Sequence, residues 1–268
     1  MSNNNNHEPS GDETPMQLLG IRTPIIRPGE DIVQILLECL EKQGIRLQNG
    51  DVVVLAESAV ATAEGRVVQL SDIEPTAEAC ELALKYQLDP REMQLIIEEC
   101  DEIFGGVPGA ALTVTRGTLS PNAGIDSSNA PEGCVVLLPE DPQKSAAFIR
   151  EGLEKACSCH IGVIVGDSRT QPLRLGCVGI ALGTSGLEPV EDARGSLDLF
   201  GKELKITRKA VADNMVSAAQ LVMGEAGEGT PAVVIRGATV KMIEGSIEMP
   251  LFSREECMYY SNISKGRK

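Results

Sequence analysis

Three short aliphatic runs, Val52–Leu55, Ile161–Val165 and Val233–Ile235, constrain the fold of this chain more than any other feature. None is long enough for a helix of ordinary length. Turn signals bound them: Asn49-Gly50 precedes the first, and Gly166-Asp167 follows the second. Apolar runs of this length without polar alternation read as buried strands, the second of them central and ending just before Gly166-Asp167. Ala110 to Val114, Val135 to Leu138 and the glycine-bounded stretch Gly179 to Gly183 add shorter strand patterns.

Between them lie segments of helical period. From Asp31 to Lys42, Ile32, Ile35, Leu36 and Leu40 share a face, and Gly44 supplies a stop. Pro75 opens a second helix through Tyr86. A third begins with Asp89 as cap, Pro90 at the first helical position and Glu92 three residues after the cap, and runs to about Cys100. Asp141-Pro142 repeats that start for a helix to about Ala156. Thr207 is expected to cap a helix from Arg208 to Met223, with Val211, Met215, Ala218, Ala219 and Val222 on its apolar side. The pattern predicts an α+β or mixed α/β fold. Strands and helices do not alternate regularly enough for a doubly wound sheet. Residues 1–15 read as a frayed, disordered polar tail, and 16–268 as one folded region. Gly105–Gly109 and Gly166–Gly183 are the candidate boundaries within it, and neither is a real linker.

The composition narrows the function. Hydrophobic residues make up 42% and charged residues 24% of the 268, enough apolar material for a sizeable core. A formal charge of -15 argues against nucleic-acid binding, which draws affinity from clustered Lys and Arg. No apolar run reaches membrane-spanning length and no secretory segment is present, so the expected location is cytoplasmic and the expected partners include no membrane. The eight cysteines read as reduced thiols, and Cys157, Cys159 and His160 lack a second ligand pair at zinc spacing.

The chain has neither the G-x-x-x-x-G-K-[ST] phosphate loop nor the G-x-G-x-x-G dinucleotide fingerprint. Three other runs carry chemistry. In Asn122–Asn129, Asp126 can ligate a hard cation and Asn129 offers an amide; the same residues also suit an Asx turn. Gly166-Asp167-Ser168 puts a carboxylate and a hydroxyl at the expected strand end, with Arg169 and Arg174 downstream as candidate phosphate clamps, or simply a capped turn with surface arginines. Met223-Gly-Glu-Ala-Gly-Glu-Gly-Thr230 combines close-approach glycines with Glu225 and Glu228, and equally suits a helix C-cap loop. Acidic loops beside three element ends suggest two-metal phosphoryl transfer, without separating a ligase from a phosphatase.

At these residues the chain resembles the coenzyme F420-0:L-glutamate ligase family, also called coenzyme F420 gamma-glutamyl ligase. The similarity spans about Gly20 to Arg236. It rests on Ala63-Glu-Gly-Arg66, the Asn122–Asn129 run, Leu137-Leu-Pro-Glu-Asp-Pro142, Asp167 with Arg174, Gly201-Lys-Glu-Leu204, and Met223-Gly-Glu225 through Pro231 to Gly237. The resemblance implies a two-part α/β architecture of intertwined subdomains and a homodimer. Asp126 and Asp167 would hold one divalent cation, Mn2+ or Mg2+, and Ser168 and Glu225 would help hold a second. K+ is a further ion it admits. Thr23, Pro24, Ile25, Ile26, Ser58, Thr62, Asn129, Met223, Gly224, Glu225, Ala226, Gly227, Glu228, Gly229 and Thr230 would line the GTP site. Asp126, Asp167, Arg174 and Glu225 would carry the chemistry.

That chemistry is amide formation between L-glutamate and the terminal carboxylate of the F420 precursor through an acyl phosphate, with release of GDP and phosphate. The chain departs from the family pattern at three places. Ala61-Thr62 stands where a Ser-Lys pair is usual, Ser168-Arg-Thr-Gln-Pro172 alters the run after the second aspartate, and Asn214 replaces a carboxylate. These leave open a ligase for another carboxylated acceptor, or a non-catalytic GTP- or F420-binding protein.

Overall fold

The computed structural model of the protein describes residues 15–263, so the polar tail, Pro15 apart, lies outside the described residues. From the N-terminus run β1 (Gln17–Ile21), α1 (Ile32–Lys42), β2 (Val52–Ala56), α2 (Glu57–Ala63), β3 (Val67–Gln69), α3 (Ala77–Tyr86), α4 (Pro90–Glu99), β4 (Glu102–Val107), β5 (Ala110–Thr115) and β6 (Thr118–Pro121). There follow β7 (Cys134–Val136), α5 (Pro142–Cys157), β8 (Gly162–Thr170), β9 (Cys177–Ser185), β10 (Glu191–Asp192), β11 (Arg208–Lys209), α6 (Val211–Met223), β12 (Ala232–Arg236) and α7 (Met258–Ile263). The fold is mixed α/β, as the sequence pattern predicts.

The main sheet has five strands in the order β1-β12-β2-β8-β9. Only the β2–β8 pairing is parallel; its neighbours are antiparallel. Strand alternation divides the aliphatic runs between two cores. Val53, Leu55, Val163, Val165 and Val234 pack with α1 and α5 on one face. Val52, Val54, Ile164, Val233 and Ile235 pack with α6 on the other. Burial on both faces is why these runs show no polar alternation.

Residues 67–137, inserted between α2 and α5, build a second packing unit. Its core joins Ala79, Ala83 and Tyr86 of α3 to Met93, Leu95 and Ile96 of α4, with Ala111, Ile125 and Val135 beneath. A three-stranded sheet β4-β5-β6 and the pair β3-β7 complete it.

Two expectations require correction. The strand predicted to stop before Gly166-Asp167 continues to Thr170, because hairpin pairing with β9 carries the ladder past the end of the apolar run. The register shifts between Val165 and Gly166, and a side chain at Gly166 would collide with Val216, so α6 lies close against this kink. Thr207 caps no helix: Arg208 and Lys209 pair with Asp192 and Glu191 as a short ribbon, and α6 begins later, behind Ala210, without a side-chain cap.

Candidate active site

The first strong acidic position follows from the parallel pairing of β2 and β8. Ala56 stands opposite Gly166, so the next residues, Glu57 and Asp167, emerge side by side. Asp167 is buried, and its Oδ2 accepts from Arg169 Nε at 2.7 Å. Burial pushes its carboxyl above the usual range; the Arg169 guanidinium opposes that shift and the Asp126 charge adds to it. Glu57 keeps partial solvent access, yet protein crowds its carboxylate. Desolvation pushes it well above the ordinary carboxylate range, and the charges of Asp167 and then Asp126 reinforce the shift. Glu57 was not among the residues the sequence singled out.

Asp126 comes from the inserted unit. Its backbone exchanges hydrogen bonds with Val136 at 2.9 and 2.8 Å, which fixes it at the edge of β7. Its carboxylate accepts from Ser128 N at 2.8 Å and from Ser128 Oγ at 2.7 Å, so the Asx turn among the alternative readings is also formed. A carboxylate that closes a turn is held in place for any second duty.

The glycine-rich loop after α6 meets both other loops. Glu225 Oε2 accepts from Ser168 Oγ at 3.1 Å, while its other oxygen accepts from Gln220 Nε2. Asn129 Nδ2 donates to the Ala226 carbonyl at 3.1 Å. Glu228 folds back to accept from Ala226 N at 2.8 Å, and a side chain at Gly224 would collide with that carboxylate. Thr23 N donates to the Gly229 carbonyl at 3.1 Å, so the Thr23–Ile26 segment borders the same loop. Thr230 is buried, Pro24 and Ile25 are exposed, and Ile26 packs on the first core. Ser58 and Thr62 lie one turn apart on α2, half-buried, with Ser58 directly after Glu57. Met223 packs against the second core.

The two arginines part company. Arg169 is committed inside the protein: besides Asp167 it donates from Nη1 to Thr118 Oγ1 at 2.8 Å and to the Leu119 carbonyl at 3.3 Å. It is therefore not a free phosphate clamp. Arg174 stands on the exposed turn between β8 and β9, beside the fully exposed Leu173 and Leu175, and no hydrogen bond joins its side chain to the acidic cluster among the described residues.

Asp126, Asp167, Glu225 and Ser168 offer hard oxygen donors, the chemistry that Mg2+ and Mn2+ select. Burial first, and neighbouring negative charge second, raises the carboxyls of Glu57 and Asp167, and a divalent cation would offset both costs. Among the described residues no three His, Cys, Asp or Glu side chains are already drawn together as a metal-holding group. The donor set fits by chemistry and by neighbourhood rather than by a finished coordination shell.

The family model for F420-0:Gamma-glutamyl ligase matches residues 20–237, a span that contains every residue of the candidate site. The chain belongs to the F420-0:gamma-glutamyl ligase family. It is 44% identical over 213 residues to a coenzyme F420:L-glutamate ligase of Methanopyrus kandleri, covering 79% of this chain and 82% of that one. Similarity of 40% over 245 residues to the protein of the same name from Methanocaldococcus jannaschii covers 91% and 96%. A third such ligase, from Methanothermobacter thermautotrophicus, is 40% identical over 224 residues, or 83% and 89%. For a member of the F420-0:gamma-glutamyl ligase family, the junction of β2, β8, the 122–129 segment and the 223–230 loop is the candidate active site. No helix among the described residues is long and apolar enough to cross a membrane.

Proposed function

We propose that this protein is a GTP- and divalent-cation-dependent ligase that joins L-glutamate to the terminal carboxylate of the F420 precursor, acting in the cytoplasm as a homodimer. The observation that carries the reading is the meeting of three loops: Ser168 bonds Glu225 and Asn129 bonds the Ala226 carbonyl, next to Asp126 and Asp167. Membership of the family supplies the acceptor and the amino acid.

In this reading the precursor carboxylate attacks the γ-phosphorus of GTP, and the bond to the bridging β-γ oxygen breaks to release GDP. The glutamate amine then attacks the acyl carbon, and the carbon–oxygen bond to phosphate breaks. Asp126 and Asp167 would hold one cation, and Ser168 and Glu225 would help hold a second. Bound there, Mn2+ or Mg2+ offsets the charge that builds up on the transferred phosphoryl group. The main chain at Gly227 and Gly229 lies open enough for close approach of a triphosphate. With Thr62 in place of a lysine, the protein leans on cations and amide donors for that charge. Arg174, on its exposed turn, would complete the site only by moving toward bound substrate.

The test incubates purified protein with F420-0, L-glutamate, GTP and Mn2+, and follows product mass together with GDP. Coupled formation of a glutamyl amide and GDP is expected, and Asp126→Ala should abolish both. GDP release in step with a different carboxylated acceptor, and none with F420-0, would replace the proposed acceptor.

A further inference from the structure

The two aspartates of the site belong to different parts of the fold. Asp167 is built into the main sheet, whereas Asp126 hangs from the inserted unit. Something must fix the distance between them. Arg169 is placed to do so: it is 5% exposed, and one guanidinium reaches both sides of the junction. Its Nε holds the Asp167 carboxylate at 2.7 Å, and its Nη1 holds Thr118 Oγ1 and the Leu119 carbonyl of β6.

From Thr118 a stiff path leads to Asp126. The Thr118 hydroxyl also donates to the Thr115 carbonyl at 3.0 Å, which ties it to β5. Strand β6 pairs with β5 from Thr118 to Pro121. Directly after it, Asn122 Oδ1 accepts from Ala111 N at 2.8 Å, and Ala123 N donates to Thr113 Oγ1 at 3.2 Å. The buried Ile125 then delivers Asp126 to the edge of β7. Each link between Arg169 and Asp126 is a backbone pairing or a side-chain hydrogen bond.

Resting on the reading of Asp126 and Asp167 as a cation-holding pair, we propose that Arg169, anchored by Thr118, is the positioning residue that sets the spacing of these two carboxylates across the junction. A buried ion pair gives little net stability against an apolar replacement, so position is the better account of its presence. The planar fork explains why arginine stands there: lysine could hold Asp167 or Thr118, but not both in fixed directions.

The test compares the full-length wild type with Thr118→Val, Thr118→Ser, Arg169→Lys and the Thr118→Val/Arg169→Lys double variant. Readouts are Mn2+ affinity of the nucleotide-free protein by electron paramagnetic resonance, kcat, KM for GTP, and the melting temperature. Thr118→Val removes the shorter of the two bonds from Nη1 to β6 at almost constant shape, leaving only the 3.3 Å bond to the Leu119 carbonyl. It should weaken Mn2+ binding and lower kcat by about tenfold each, the usual scale for the partner of a ligating carboxylate. KM for GTP should stay within about twofold, since binding of the nucleotide outside the transition state is untouched. Thr118→Ser, which keeps the hydroxyl, should restore both values. The double variant should be no worse than Arg169→Lys alone, because the two changes break one linkage.

Wild-type Mn2+ affinity and kcat in Thr118→Val would overturn the inference. So would equal losses in Thr118→Ser, or losses that add in the double variant. A rise in KM for GTP alone would make Arg169 a nucleotide contact instead. A wild type that neither binds Mn2+ nor turns over would remove the underlying reading and this inference with it, an outcome distinct from an active wild type with an equally active variant.

Discussion

At the scale of single residues, Glu57 has the clearest consequence. Burial and the charges of Asp167 and Asp126 hold its folded pKa above the ordinary value of 4.5. The native state therefore binds this proton more tightly than the unfolded chain does. Its stabilising effect is complete below the unfolded value and is lost as pH rises through the folded one. At neutral pH the raised pKa is a cost, because the unfolded chain gives up this proton more readily than the native state does. Glu57→Gln cannot ionise, so in metal-free, EDTA-treated protein it should melt higher than wild type at pH 8. A gain of about 2–4 °C corresponds to about 1 kcal/mol in a chain of this size. The gain should shrink to nothing as pH falls toward 4.5. A constant gain across that range would show that shape rather than charge is responsible. Glu57 carries no mark in the sequence, because it sits at a strand–helix junction without glycine, and the carboxylates that perturb it arrive from β8 and the inserted unit. Asp126, Asp167, Ser168, Asn129 and Glu225 stand out in the sequence as turn and acidic residues in loops, and the fold joins Ser168 to Glu225 and Asn129 to the Ala226 carbonyl.

At the scale of elements, legibility followed how locally each element is determined. Strands β2, β8 and β12 announce themselves because both faces are buried, α1 by the spacing of its apolar face, and α4 and α5 because an aspartate followed by proline caps each one. Strand β1 has no such mark: Gln17–Ile21 becomes a strand only by pairing with β12 at the other end of the chain. The ribbon of β10 and β11 was misread for the same reason, since Arg208 and Lys209 are determined by Asp192 and Glu191 rather than by the helix that follows. The local rule can be measured at α4. Asp89 accepts from Arg91 N at 2.8 Å and pairs with the Arg91 guanidinium at 2.6 Å. These contacts, led by the Arg91 side chain, hold its pKa down to about 2. A depressed carboxyl contributes stability above its unfolded value of 3.8 and loses it as pH falls through about 2. Asp89→Ala should cost about 1 kcal/mol at pH 7, the usual worth of an N-cap. That difference should narrow below pH 3.8 in chemical-denaturation curves.

At the scale of the whole molecule, charge and apolar surface pull in opposite directions. A net charge of -15 keeps copies apart, so a stable homodimer needs a contiguous apolar contact to overcome it. The segment between β10 and β11 offers one. It folds back on itself through a Leu197–Glu203 bridge and an Asp198–Lys202 hydrogen bond, and it carries Leu197, Leu199, Phe200 and Ile206. Leu199 is 100% and Phe200 88% exposed. Single exposed aliphatics are ordinary, but several on one projecting arm mark an interaction surface. In the proposed homodimer this arm would rest against the second copy and bury apolar area that the chain itself leaves in water. Light scattering of the wild type should therefore give twice the 28.5 kDa chain mass, and Leu199→Asp with Phe200→Asp should shift it to the monomer. Far-ultraviolet circular dichroism should not change, because neither side chain belongs to a core of the folded chain. A double variant that remains dimeric would move the interface away from this arm, toward surfaces such as the exposed Leu173–Leu175 turn beside Arg174. That distinction bears on the site, since a partner resting on the Arg174 turn could hold it against the nucleotide, whereas one resting on the β10–β11 arm alone would leave it free.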